Sequence, residues 1–331
     1  MIASMPRPST IPPPVTTVLE AAGTWLPEGM ASVERRLAQL TTGHGTVLAT
    51  DAGATLAAGG KRLRPLLVLL CAGPRRGSSA VRAATAVELV HMATLVHDDV
   101  LDDAPLRRGH PTVAARSGRE RAVATGDLLF SRAFAELGAD GGERQVELLS
   151  SASVALALGE LAQRRDAFDT SISSERYLER CSLKTARLFE CACLLGRVGD
   201  GGAPEAELAA FGRDIGLAFQ LLDDVLDVSG PPGRTGKARG TDLLDGTVTL
   251  PLILAREADP GLGAVDLVGL DERVAEAICD RIEATGSLER VRELARERVR
   301  EAKGALAEAP LAADERSLLA LVADGVVERY A

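Results

Sequence analysis

Aspartates recur with one spacing in two apolar stretches of this chain. In LVHDDVLDD and FQLLDDVLD the acidic positions are Asp98, Asp99 and Asp102, and then Asp223, Asp224 and Asp227. On a helix the first and third aspartate of each motif lie one turn apart on one face, where like charges repel and lose water. A hard divalent cation relieves that repulsion, and Mg²⁺ takes phosphate oxygens alongside a few carboxylates. The motifs therefore predict a metal-bridged diphosphate site. A solvated acidic helix face would account for one motif but not for the second copy.

The composition predicts that helices position these carboxylates. Hydrophobic residues make up 46% of the 331 residues and aromatic residues only 3%, which favours helix over sheet. Two carboxylate stripes can face each other from different helices of a bundle. The net charge of −9 argues against a nucleic-acid-binding protein but not against an anionic substrate. We expect an all-α protein.

Helical periodicity and breakers divide the chain into segments. Residues 15–57 are predicted to be helical with breaks at Gly43, Gly45 and Gly53, and Pro65 is expected in the first turn of the next helix. A helix over 80–103 carries the first motif and ends near Ala104, before Pro105. Further helices are expected at 119–137, 143–165, 174–196, 204–229 and within 271–331, with a loop at 230–241 and a break at Pro251.

The remaining regions set the domain limits. Residues 1–14 are expected to form a disordered Pro-rich tail before one catalytic domain over 15–331. The five cysteines are odd in number and irregularly spaced, which indicates reduced thiols and a cytoplasmic protein. No run of 18 apolar residues predicts a membrane span.

Basic residues stand close to the predicted helix ends. Lys61, Arg62 and Arg64 crowd a helix N-terminus, which is unfavourable unless an anion binds there; a solvated basic loop is the alternative. Arg107 and Arg108 follow the first acidic helix, where they could clamp phosphate oxygens. Lys184 lies in an apolar helix, where a lysine commonly extends to solvent.

The ordered set of motifs resembles the trans-isoprenyl diphosphate synthase (polyprenyl synthetase) family. The similarity covers about Gly59 to Pro251, with weaker similarity at both ends. The stretches that carry it are GGKRLRP, VELVH, LVHDDVLDDAPLRRGHPT, TGDLLFSRAF, GELAQ, LKTARLF, FQLLDDVLD, GKARGTDLLDGTVTLP and VVER.

This resemblance implies a single-domain helical bundle around a deep central cavity, usually in a homodimer. It implies that the protein condenses isopentenyl diphosphate with an allylic diphosphate. It also implies Mg²⁺ as the cofactor, with three ions per active site. The six motif aspartates would bind metal, with Asp224 and Asp227 in support. Residues expected to hold the allylic diphosphate are Arg107, Lys184 and Lys237. Residues expected to hold isopentenyl diphosphate are Lys61, Arg64, His91 and Arg108. Thr185 and Gln220 would stabilise the allylic cation.

Three positions depart from the family pattern. Pro105 replaces a polar residue, Thr247 replaces a frequent lysine, and Asp103 adds a carboxylate to the first motif. The small residues Ala93 and Thr94, one turn before Asp98, predict a product of geranylgeranyl length or longer. A class I terpene cyclase and a non-catalytic partner subunit are the competing interpretations. A cyclase would normally lack the second motif and the Lys61 cluster, and a non-catalytic subunit tends to lose its aspartates.

Overall fold

This computed structural model describes residues 13–43, 45–74, 77–139, 142–198, 205–230 and 239–328. Lys237, which was expected to hold the allylic diphosphate, lies outside the described residues. So do residues 1–12 of the expected tail, whereas Pro13 and Pro14 already belong to the first helix.

The described chain is built from helices, as expected for an all-α protein. In the first half they are α1 (Pro13–Ala21), α2 (Trp25–Thr42), α3 (Thr46–Ala57), α4 (Leu63–Ala72), α5 (Ser78–Leu101), α6 (Val113–Ser117), α7 (Arg119–Gly138) and α8 (Glu143–Arg165). In the second half they are α9 (Ser174–Cys181), α10 (Arg187–Val198), α11 (Ala206–Ser229), α12 (Thr241–Leu244), α13 (Leu250–Ala258), α14 (Glu272–Ala284), α15 (Ser287–Glu308) and α16 (Ala313–Glu328). The two-residue strands β1 (Leu106–Arg107) and β2 (His110–Pro111) pair antiparallel between α5 and α6.

The two motif helices lie at the centre of the bundle. Helix α5 packs against α4, α7 and α10, and α11 packs against α10 and α15. The core at α4 is the apolar run 66–71, in which every side chain is buried. Because α10 touches α4, α5, α8 and α11, it joins the two halves of the bundle.

Four local expectations were wrong. Gly53 lies inside α3 rather than at a break. Helix α5 ends at Leu101, so Asp102 is its C-terminal cap and Asp103 has φ of 47°. Pro251 lies in the first turn of α13, where its missing N–H costs no hydrogen bond, so it begins a helix rather than breaking one. The helix expected over 174–196 contains a π-helical turn at Ser182–Ala186.

Helix α5 also has the length and composition of a membrane span. Among the described helices it is the one that meets both criteria, and 67% of its apolar window is buried inside the protein. Since it packs against helices on several sides, we interpret it as the core helix of the bundle.

Candidate active site

All four residues expected to hold isopentenyl diphosphate line one cavity, here called the cation cavity. It has a volume of about 370 Å³ and lies between the start of α4, the middle of α5, the β1–β2 hairpin and α11. Its basic lining residues are Lys61, Arg62, Arg64, Arg107 and Arg108, with His91 among them. Asp223, Asp227 and Asp242 line the same space. The fold therefore brings together residues that are as much as 181 positions apart in the chain.

Two cations of the cavity stack on aromatic rings. The Lys61 Nζ lies 4.8 Å from the centre of the Phe219 ring, and the Arg64 guanidinium lies 4.5 Å from that of Phe189. Each ring is attracted to the cation above it and so restricts the side chain that must meet an anion. The Arg64 Nε is buried and makes no hydrogen bond.

Burial sets the charge states of this cavity. Burial lowers the pKa of Arg64 to about 10, with Glu88 opposing the change, so Arg64 remains cationic at neutral pH. Burial and the nearby guanidiniums hold the pKa of His91 well below its usual value. His91 is therefore neutral at pH 7 and can donate one hydrogen bond without adding charge.

The β1–β2 hairpin folds back onto the first acidic motif. The Arg107 Nε donates to Asp99 Oδ1 at 2.6 Å, and the Thr112 hydroxyl donates to the carbonyl of Ala104 at 2.8 Å. Arg108 donates to the carbonyl of Gly59, which ties the hairpin to the loop before α4. Asp99 is thus held by a protein cation, and Arg107 stands between Asp99 and the cation cavity.

A second cavity of about 160 Å³ adjoins the first at Asp242. Its lining residues include Asp102, Lys184, Thr185, Gln220, Asp224 and Thr247. It combines the C-terminal end of α5 with the π-helical turn and α11. We call it the acidic cavity, because Asp102, Asp224, Asp242 and Asp245 all line it.

The π-helical turn positions Lys184 against α8. A Cβ on Gly159 would lie 2.5 Å from the Lys184 backbone nitrogen, so only glycine allows this approach. Lys184 forms an ion pair with Glu160, and Glu160 also accepts a hydrogen bond of 2.8 Å from the Arg164 Nε. Such turns often occur at functional sites.

Asp98 and Asp102 belong to the same charge network. Asp102 accepts a hydrogen bond from Arg164. Burial raises the pKa of Asp98 to about 6; Lys184 and Arg107 oppose this, while Glu160 and Asp102 add to it. Because ionisation of this carboxyl is unfavourable, a cation beside it would stabilise the ionised form.

The three aspartates of the second motif also differ in their surroundings. Asp223 is exposed, and Asp227 accepts a hydrogen bond of 3.2 Å from the backbone N–H of Asp242. Asp224 is instead buried: the Tyr177 hydroxyl donates to one oxygen, and the Gln220 amide donates to the other at 2.8 Å. Protein donors therefore reach both oxygens of Asp224 and fix the orientation of its carboxylate.

Thr185 and Gln220, to which the resemblance assigns one shared role, lie in contact. The Thr185 hydroxyl donates to Gln220 Oε1 at 2.8 Å. Since the Gln220 amide nitrogen is directed at Asp224, its oxygen faces Thr185. A chain of hydrogen bonds therefore runs from Tyr177 through Asp224 and Gln220 to Thr185.

The donor set fits Mg²⁺ but does not form a closed cage. Within the described ranges, no three carboxylate, imidazole or thiolate side chains converge closely enough to hold a metal ion by themselves. Mg²⁺ usually takes one or two carboxylates and fills its shell with water and phosphate oxygens. Of the six motif aspartates, Asp102, Asp223, Asp224 and Asp227 line the two cavities, whereas Asp98 and Asp99 line neither.

Other expected positions lie outside the two cavities or at their edge. Ala93 is fully buried and Thr94 is partly buried, with its hydroxyl donating to the His91 carbonyl. The extra carboxylate Asp103 points into solvent, since 91% of its side chain is exposed. Thr247, the position of the frequent lysine, lines the acidic cavity.

Sequence reasoning missed several residues of the site. The most important are Glu88, Glu160, Arg164, Tyr177 and Asp242. Glu160 and Arg164 carried a usable signal, because their i,i+4 spacing places them on one helix face. Tyr177 and Asp242 gave no local signal, since their partners come from other helices.

Comparisons with known proteins identify relatives over most of the chain. The profile of the polyprenyl synthetase family matches residues 46–278. The heptaprenyl diphosphate synthase component 2 of Geobacillus stearothermophilus is 39% identical over 279 residues, covering 82% of this chain and 87% of the relative. The octaprenyl diphosphate synthase of Escherichia coli K12 is 36% identical over 257 residues, covering 75% of this chain and 80% of the relative.

Solved structures show the same fold. A polyprenyl synthase from Caulobacter crescentus CB15, complexed with calcium and isoprenyl diphosphate, superposes with a TM-score of 0.88 at 35% identity, covering 96% of this chain and 98% of that one. A decaprenyl diphosphate synthase from Rhodobacter capsulatus superposes with a TM-score of 0.85 at 34% identity, covering 96% of this chain and 99% of that one.

Proposed function

This chain belongs to the polyprenyl synthetase family, and we propose that it condenses isopentenyl diphosphate head to tail with an allylic diphosphate. The observation that carries this proposal is the pair of adjoining cavities, one rich in cations and one rich in carboxylates, which meet at Asp242. Two diphosphates can bind side by side there, one by direct ion pairs and the other through metal.

The cation cavity is suited to isopentenyl diphosphate. Lys61, Arg64 and Arg108 supply positive charge, and neutral His91 supplies a further hydrogen bond. Arginine and lysine bind phosphate oxygens strongly because both partners are charged. Phe189 and Phe219 line the same cavity and limit the water around the reacting carbons.

The acidic cavity is suited to the allylic diphosphate. Lys184, which lines it, would hold the diphosphate oxygens, and Arg107 would contribute from the cation cavity. Bound Mg²⁺ would supply Lewis-acid stabilisation of the leaving diphosphate, with Asp98, Asp102, Asp223 and Asp227 as its protein ligands. The calcium bound with isoprenyl diphosphate in the Caulobacter crescentus relative is in keeping with a divalent cation here.

The reaction that we propose balances without a side-chain base. The allylic C–O bond breaks, and the isopentenyl double bond attacks the allylic carbon to form the new C–C bond. The positive charge then lies on the isopentenyl unit, and the carbon next to it loses a proton to an oxygen of the departing diphosphate. Oxygens of Thr185 and Gln220 are fixed by the chain from Tyr177, so they can face the positive carbon without rearranging.

We also propose a homodimer. Helix α8 exposes an apolar stripe of Val154, Leu158 and Leu161, which are 58%, 52% and 66% exposed. These residues follow i, i+4 and i+7 spacing, so they form one continuous ridge that a second copy could cover. Light scattering should give twice the chain mass, and Leu158→Glu should reduce it to one.

Two further assignments rest on indirect support. All five cysteines are free and buried, which agrees with a reducing cytoplasm. A relative is named component 2, which raises the alternative that a second kind of chain is required for activity. Activity of the purified single polypeptide would exclude that alternative.

One incubation tests the main proposal. The purified chain, Mg²⁺, isopentenyl diphosphate and labelled farnesyl diphosphate should give a longer labelled prenyl diphosphate, and EDTA should prevent its formation. Release of a labelled cyclic hydrocarbon, or no product in the presence of Mg²⁺, would contradict the proposal.

A further inference from the structure

Glu88 is a buried carboxylate at the edge of the cation cavity. It lies on α5, is 2% exposed and lines the cavity together with Arg62, Arg64 and Arg108. A carboxylate inside an anion-binding cavity is unexpected, because it repels the ligand and competes for the same cations. Its presence requires an explanation in terms of its partners.

Arg62 is the direct partner of Glu88. Its NH1 donates to Glu88 Oε1 at 2.7 Å, and its Nε donates to Glu34 Oε1 of α2 at 2.6 Å. Its neighbours point elsewhere, since Lys61 lies over Phe219 and Arg64 over Phe189. The left-handed backbone of Arg62, with φ of 50°, accompanies this change of direction.

The chain leaves room for this arrangement. A Cβ on Gly60 would lie 2.7 Å from the Arg62 NH1 and 3.3 Å from the Arg108 NH1. Two guanidiniums therefore pass over a residue that has no side chain. Arg62, Gly60 and Glu88 form one built unit beside the substrate-facing cations.

We propose that Glu88, held by Arg62, is a positioning residue for the isopentenyl-diphosphate site. This inference rests on the proposed function. Glu88 stabilises the crowded guanidiniums without touching substrate, and Arg62 keeps it from forming ion pairs with Arg64 and Arg108. Those two residues therefore retain their donors for the diphosphate.

Loss of Arg62 alone should harm the site more than loss of both partners together. In Arg62→Gln the carboxylate loses its strongest partner and turns to Arg64 or Arg108, so those cations are no longer available to the substrate. In the double variant Arg62→Gln with Glu88→Gln, neither charge remains, so Arg64 and Arg108 are released again. The second substitution should therefore partly repair the first.

The test compares the single and the double variant by steady-state kinetics. Arg62→Gln should raise the KM for isopentenyl diphosphate about tenfold, and the double variant should recover to within about threefold of wild type. The KM for the allylic substrate and kcat should change less than about twofold. Arg62→Lys, which keeps the charge, should lie between wild type and Arg62→Gln.

Arg36 and Glu136 provide a matched control. They form an ion pair of 2.7 Å between an arginine of α2 and a buried glutamate of α7, away from the residues that line the two cavities. Arg36→Gln and Glu136→Gln can lower the thermal midpoint but should leave both KM values unchanged. An equal effect of this pair on the isopentenyl KM would reduce Glu88 to a general structural role and overturn the proposal.

Calorimetry with inorganic diphosphate separates this inference from the proposed function. If wild type lacks prenyl transfer, the same order of affinities (wild type, double variant, Arg62→Gln) still supports Glu88 as the positioning carboxylate of an anion site. If wild type is active but Arg62→Gln binds as wild type does, or the double variant is no better than the single one, the inference is wrong.

Discussion

Asp98→Asn provides a quantitative test of the first acidic motif. Burial raises the pKa of Asp98 to about 6 from an ordinary value of 3.8. At 1.36 kcal/mol for each pH unit, ionised Asp98 lowers the free energy of unfolding by at most about 3 kcal/mol. For a chain of this length that corresponds to a thermal midpoint about 3–4 °C higher in the variant than in the metal-free wild type at pH 7.5.

The sign of the pH dependence follows from the two pKa values. Below the ordinary value of 3.8 the carboxyl is protonated in both the folded and the unfolded chain, so it makes no difference to stability. Between 3.8 and about 6 the unfolded chain releases this proton while the buried carboxyl retains it, so the free energy of unfolding falls as pH rises and the loss is complete above about 6. The advantage of Asp98→Asn should therefore be complete above that pH and absent near pH 4.

Differential scanning fluorimetry with EDTA across pH 4–8 measures this effect. Asp103→Asn is the matched control, because that side chain belongs to the same motif but is 91% exposed. Added Mg²⁺ and diphosphate should stabilise wild type more than Asp98→Asn, and turnover of that variant should fall at least about a hundredfold. A midpoint equal to wild type at pH 7.5, or a gain that persists at pH 4, would refute the reasoning.

Three further predictions concern substrates and product. Lys61→Ala should raise the KM for isopentenyl diphosphate, whereas Lys184→Ala should act on the allylic substrate and kcat; equal effects on both substrates in steady-state assays would contradict this division. Ala93→Tyr should shorten the main product, read by chromatography of the dephosphorylated prenols; an unchanged distribution would mean that the growing chain does not pass Ala93. Tyr177→Phe should lower kcat about tenfold with little change in either KM, because it removes the hydrogen bond to Asp224; an unchanged kcat would show that catalysis does not depend on that hydrogen bond.

The sequence predicted those features that depend on local spacing. Both acidic helices and the cationic start of α4 follow from motifs and helix periodicity, whereas the pairing of Thr185 with Gln220 could not be predicted from spacing because they lie on different elements. The end of α5 did not follow, because the reversal at Asp103 depends on the hairpin that packs against the motif. The π-helical turn also depends on tertiary contact, since Gly159 on another helix allows the Lys184 backbone to come close.

The partners of the middle aspartates explain why spacing alone could not assign roles. Asp99 is held by Arg107, and Asp224 is held by Tyr177 and Gln220, although both stand beside candidate ligands in the sequence. A one-residue step on a helix rotates a side chain by about 100°, so neighbours in each motif face different elements. Asp102, Asp223, Asp224 and Asp227 line the two cavities, while Asp99 is paired with Arg107 of the hairpin and Asp98 lines neither cavity. Substitution of a middle aspartate should therefore disturb the geometry of the cations and amides around the substrates, even where no metal ligand has been removed.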